Sequence, residues 1–253
     1  MKKLWKVLIP VLAFAVVFAC LFALGTSAAT SADIDEDKEV LFSITQPDGT
    51  VQTCKALVDA VKYAKDGATI ELLNDYNAIY CFNLNSSFLT NSKSETECKS
   101  LTVDLKGHTI YASKLNGNQY IQLQDGNSLK FTSTEGKGKI VVTDKCFARV
   151  DANSKYQSRQ NELGFENIDI DFNISSRPWE YYLLTVNTGV LTLKNVNITT
   201  TGTATVIQTS ETVPGHTLEH NFENVNVTAG GMAVRVTLSG KTEDYIANWD
   251  NVS

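Results

Sequence analysis

The chain predicts an all-β solenoid, and three observations carry that reading. A short string recurs: Phe165-Glu166-Asn167-Ile168-Asp169 returns as Leu193-Lys194-Asn195-Val196-Asn197, then as Phe222-Glu223-Asn224-Val225-Asn226, then as Trp249-Asp250-Asn251-Val252-Ser253. The steps between first residues are 193−165 = 28, 222−193 = 29 and 249−222 = 27. A period of this size marks a repeat architecture, in which each unit buries its apolar face only against its neighbours. Second, apolar residues alternate within each unit and then slip phase. Leu191 and Leu193 precede Asn195, and the alternation resumes at Val196 and Ile198. Strand pairs facing one core across a sharp bend give this pattern, and Asn tolerates the left-handed backbone such a bend needs. Third, a single short stretch reads as an amphipathic helix, with nothing comparable downstream.

Met1 to Ala32 reads as a signal peptide or a retained N-terminal anchor. Lys2, Lys3 and Lys6 lead an apolar run, Val7 to Leu24, and small residues near Ala28 and Ala32 offer cleavage sites. Residues 33–67 form an N-terminal segment with a capping helix. Cys54 to Ala64 places Leu57, Val58, Val61 and Ala64 on one side, and Asp66-Gly67 stops it. Lying across the first coil, this helix would close the open end of the apolar core.

Residues 68–253 are the coils. Tracing the pattern backwards gives seven bends: Asn74, Gly107, Ser133, Asn167, Asn195, Asn224 and Asn251, spaced 33, 26, 34, 28, 29 and 27 residues apart. The expectation is a ladder of stacked Asn side chains at one corner. The last unit stops at its bend, which leaves an apolar coil end asking for further coils or a capping partner.

Coils of this length with a stacked Asn at one corner resemble the right-handed parallel β-helix of the pectin-lyase-like superfamily, from about Ala68 onward. The resemblance implies a bacterial extracellular or surface protein. It leaves activity open, because members include polysaccharide lyases and hydrolases as well as surface proteins without known chemistry. The Asn-Thr-Asp, Asp-Asp, Gly-His-Gly and Arg-Ile-Lys motifs of polygalacturonase-like members do not occur in this chain.

Without the leader, basic residues number 22−3 = 19 against 28 acidic, a net charge near −9. An acidic surface excludes nucleic acid as an expected partner, along with anionic membranes, and sits poorly with pectin, itself acidic. Four Cys follow the leader: Cys54, Cys81, Cys98 and Cys146. No Cys-x-x-Cys pair suggests zinc. Export permits disulfides, and a Cys81–Cys98 bridge would pin the base of the polar excursion Asn83 to Glu97; unbridged, buried cysteines are the alternative.

Three places could carry chemistry. Glu166, Asp169 and Asp171 cluster at one bend beside Lys194 and could hold Ca²⁺ or act as acid and base on a glycan; a solvated charge ladder is the competing reading. Arg177, Trp179 and Tyr181 link two strands and could stack on a sugar. His108 falls on an inward phase and reads as a core residue. The preferred function is a non-catalytic extracellular surface module, adhesive or glycan-binding, with a polysaccharide or cell-surface glycan as partner. A fragment of a polysaccharide lyase or glycoside hydrolase, and a structural stalk segment, are the alternatives.

Overall fold

The computed structural model describes residues 39–85, 98–113, 119–143, 146–151, 160–174, 182–209, 217–237 and 245–253. Residues 1–38, with the expected leader, lie outside them. The described residues open with a hairpin that the repeat pattern did not reveal. Strands β1 (Phe42–Thr45) and β2 (Val51–Cys54) pair antiparallel, and β1 also pairs antiparallel with β3 (Thr69–Leu72). The signal is local: Phe42 and Ile44 alternate inward, and Pro47-Asp48-Gly49 supplies the turn, with Gly49 at φ 81.

Helix α1 (Leu57–Tyr63) follows, shorter than the sequence predicts because Cys54 completes β2. Leu57, Ala60 and Val61 are buried. The buried Lys99 donates its ammonium to the carbonyls of Ala64, 2.5 Å, and Lys62, 3.3 Å, where a cation suits the negative end of a helix.

From β3 onward each coil lays one strand on each of three faces. The first face stacks β3, β6 (Ser100–Asp104), β9 (Ser128–Thr132), β12 (Glu162–Glu166), the first half of β15 (Gly189–Thr201), the first half of β17 (Leu218–Thr228) and β19 (Tyr245–Val252). The second stacks β4 (Tyr76–Ala78), β7 (Thr109–Ala112), β10 (Gly138–Val142), β13 (Ile168–Asn173) and the second halves of β15 and β17. The third holds β5 (Phe82–Leu84), β8 (Gln119–Leu123), β11 (Cys146–Val150), β14 (Tyr182–Val186), β16 (Thr205–Thr209) and β18 (Val234–Val236), about five turns of a solenoid. All these strands pair parallel, and the fold is the all-β solenoid with one short helix that the sequence predicts.

The register aligns the core in rows. On the first face Ile70, Val103, Phe131, Phe165, Leu193, Phe222 and Trp249 form one inward row. Phe131 and Phe165 stack with centroids 5.4 Å apart, and Phe222 and Trp249 at 5.5 Å. Trp249, on the last strand, is 50% exposed.

Four of the predicted bends hold left-handed Asn: Asn167, Asn195, Asn224 and Asn251 at φ 58, 54, 54 and 50. Asn251 donates to Asn224 Oδ1 at 2.7 Å and Asn224 to Asn195 Oδ1 at 3.1 Å. Asn167 instead donates to the carbonyls of Ser133 and Gly136 on the preceding coil. The earlier bends differ. The second coil turns on two left-handed residues, Lys106 and Gly107 at φ 50 and 80, and Ser133 serves by accepting the Gly107 N–H on its hydroxyl at 2.9 Å. Gly136, at φ 76, makes the turn of the third coil. Asn74 is not left-handed; it is exposed and donates to Glu39 at 2.7 Å.

Candidate functional site

Outward residues on the first face also fall into rows across coils. The row nearest the Asn corner runs Glu71, Asp104, Thr132, Glu166, Lys194, Glu223, Asp250. The next row runs Thr69, Thr102, Lys130, Gly164, Thr192, Asn221, Asn248. Strands about 4.8 Å apart put each row parallel to the solenoid axis.

The long charged side chains of the corner row wall a floor of shorter residues. Two shallow hollows of about 360 and about 450 Å³ result. They share Thr192 and Lys194, one centred on Gly164 and the other on Asn221. Asn248 donates to Asn221 Oδ1 at 2.8 Å, and Asn221 to Glu219 at 2.9 Å, so the amides of the floor are held in fixed orientation.

The predicted carboxylate cluster does not form. Asn167 turns the chain between β12 and β13, leaving Glu166 on the first face and Asp169 and Asp171 on the second. Each meets its own lysine from the preceding coil: Glu166 with Lys130 at 2.5 Å, Asp169 with Lys137 at 2.6 Å, Asp171 with Lys139 at 2.7 Å. Lys194 pairs onward with Glu223 at 2.9 Å. The hydrogen bonds that Lys139 donates to Asp171 and Lys194 to Glu223 raise the pKa of both lysines. No three His, Cys, Asp or Glu among the described residues converge to hold a metal ion.

His108 is not a core residue. Because the second coil spends two residues on its left-handed turn, the inward phase resumes only at Ile110, and His108 lies 36% exposed with Nδ1 3.8 Å from Asp75. Among the described residues the buried histidine is His220, which takes the inward position held by Leu101, Leu129, Leu163 and Leu191 on earlier coils. Burial lowers its pKa to about 4.

Cys81 and Cys98 are not bridged; Cys98 Sγ donates to the Asp125 carbonyl at 2.9 Å. Burial pushes the Cys54 and Cys146 thiols up to about 12 and about 11, which keeps both protonated and unreactive.

On the third face Asp151 gathers Arg149 Nε at 2.7 Å, Gln122 Nε2 at 2.9 Å and Asn187 Nδ2 at 2.8 Å, a cluster that spans three coils. The Arg-x-Asp spacing, two residues on one strand face, is the only local trace of it in the sequence. Arg177, Trp179 and Tyr181 lie outside the described residues. Comparison of the chain with known protein families, curated proteins and solved structures finds no match.

Proposed function

We propose that this chain is a non-catalytic, secreted or surface-exposed module, of the pectin-lyase-like kind, that binds extended polysaccharide along the groove of its first face. The observation that supports the reading most is the floor-and-wall arrangement, with a floor running Lys130, Gly164, Thr192, Asn221 and Asn248 beside a corner row rich in Glu, Asp and Lys. Sugar hydroxyls donate and accept, and such a groove offers both partners at each coil step.

The pairing of every candidate carboxylate with a lysine argues against hydrolysis. A glycosidase needs two carboxyls set apart across the scissile bond, whereas here each candidate is engaged by a lysine and the three are divided between two faces at the Asn167 corner. Among the described residues the face also presents no opposing wall from which a second group could act.

An immobilised polysaccharide panel, read for both retention and released product, tests this. Retention without product is expected. Product release that disappears in Asp169→Asn would replace the module with an enzyme.

A further inference from the structure

Eleven of the glycines lie among the described residues, and ten have a local reason. Gly49, Gly67, Gly107, Gly126, Gly136, Gly189 and Gly202 hold positive φ. A Cβ on Gly138 would come within 2.8 Å of Leu105 Cβ, and on Gly230 or Gly231 it would run into the backbone carbonyls of Gly202 or Thr203. Gly164 has neither reason. Its φ is ordinary, and an added Cβ would meet nothing closer than Lys130 Cγ at 3.5 Å, a normal contact. It sits mid-strand in β12, where glycine loses strand stability and gives no side chain to pack. A strand glycine without a conformational or packing cause marks close approach by something outside the fold.

The space it leaves is the smaller hollow of the groove. Glu162 and Glu166 bound it along the strand, Lys130 and Thr192 across it, and Lys194 on the diagonal. Glu166 is tied to Lys130, whereas Glu162 accepts only from Ser128 Oγ at 3.3 Å and has no ammonium partner among the described residues.

We infer that the Gly164 hollow is a subsite that seats one pyranose ring of a neutral or N-acetylated polysaccharide, with Glu162 accepting from ring hydroxyls and Thr192 and the two lysines supplying donors. Charges of both signs around the hollow suit a neutral polyhydroxylated ring. A uronate would bring another carboxylate beside Glu162 and Glu166, which like-charge repulsion disfavours. The inference rests on the glycan-binding reading and narrows it to a place and a class of sugar.

Filling the hollow tests it. Gly164→Thr adds a β-branched side chain that suits a strand and that the backbone accommodates. Wild type and variant are compared on immobilised β-glucan, mannan and N-acetylglucosamine oligomers, with polygalacturonate alongside, and by thermal unfolding. The expected result is wild-type retention on at least one neutral or N-acetylated glycan, weakened about tenfold or more in the variant, roughly the loss of one good polar contact set, with Tm unchanged or higher. Equal retention by the two proteins would overturn the subsite and leave the module reading standing. Wild-type retention on polygalacturonate alone would overturn the sugar class and the subsite with it. Failure of the wild type to retain any glycan would overturn both readings. A marked fall in Tm in both Gly164→Thr and Gly164→Ala would show that the glycine is structural, and would also overturn the subsite.

Discussion

Acid should loosen the last coils through a single side chain. His220 is fully buried among Leu191, Phe222, Ala247 and Tyr245, with no charged group against it among the described residues. Its Nδ1 lies 3.3 Å from the Tyr245 hydroxyl, and Nε2 has no partner among the described residues. Desolvation holds the folded pKa at about 4 against an ordinary 6.5. A depressed histidine pKa means that the unfolded chain binds a proton that the folded chain refuses. The stability contribution is therefore complete above about pH 6.5 and is lost as pH falls toward about 4. Over 6.5−4 = 2.5 pH units, at about 1.36 kcal/mol each, the loss approaches about 3 kcal/mol. His220→Leu installs the residue found on the four preceding coils and removes the titration. Urea unfolding of both proteins at about pH 7 and about pH 4.5 isolates the effect, because other carboxylates titrate alike in both and cancel in the difference. The advantage of the leucine variant should widen by about 2–3 kcal/mol at the lower pH. An advantage that stays the same at both pH values would refute a neutral, desolvated imidazole in the core.

Other perturbations probe the stack and the corner. Phe165 is 1% exposed and stacked on Phe131, so Phe165→Ala should cost about 3–5 kcal/mol in a denaturant titration; a loss under about 1 kcal/mol would contradict its inward placement. Asn224→Gly keeps the left-handed corner but loses two ladder bonds, whereas Asn224→Ala loses both ladder and conformation, so alanine should be worse than glycine by about 1 kcal/mol. Lys130→Met removes an exposed ion pair and should move stability by less than about 1 kcal/mol, as a solvated ladder requires.

The inward half of this protein is legible in its sequence because the period carries it. Leu163, Phe165, Ile168 and Ile170 repeat as Leu191, Leu193, Val196 and Ile198, and a core row needs only that each coil present a similar residue at the same place. Bends are legible where one left-handed residue suffices, as at Asn195 and Asn224. They are misread where the chain uses two such residues, at Lys106 and Gly107, or a longer loop closed by Gly136. The displaced His108 follows from that miscount: Val103 to Ile110 spans 110−103 = 7 steps where the matching Phe165 to Ile170 spans 170−165 = 5, so the longer turn carries His108 off the core while Ile110 still faces inward. The β1–β2 hairpin obeys no solenoid period, and the sequence reading missed it; its only signal is local, in the Pro47-Asp48-Gly49 turn.

The outward half is harder to read, for a reason that also says where to look for function. An outward row gathers residues about 28 positions apart, and its meaning depends on cross-coil partners that differ from step to step. Glu166 read along the chain belongs with Asp169 and Asp171; read across coils it belongs with Lys130 and Lys194, and the first grouping dissolves at the Asn167 corner. Gly164 is the sharper case. In the sequence it is one glycine among 15, and in a strand pattern it reads as a mild defect. It stands out only when φ and the space around a hypothetical Cβ are both known, because those two facts remove the ordinary explanations one at a time. Selection on the interior of a solenoid must satisfy the stack at every coil and so repeats itself. A binding surface is under no such constraint, so a position that breaks the outward pattern without any structural cause is where a ligand is best sought.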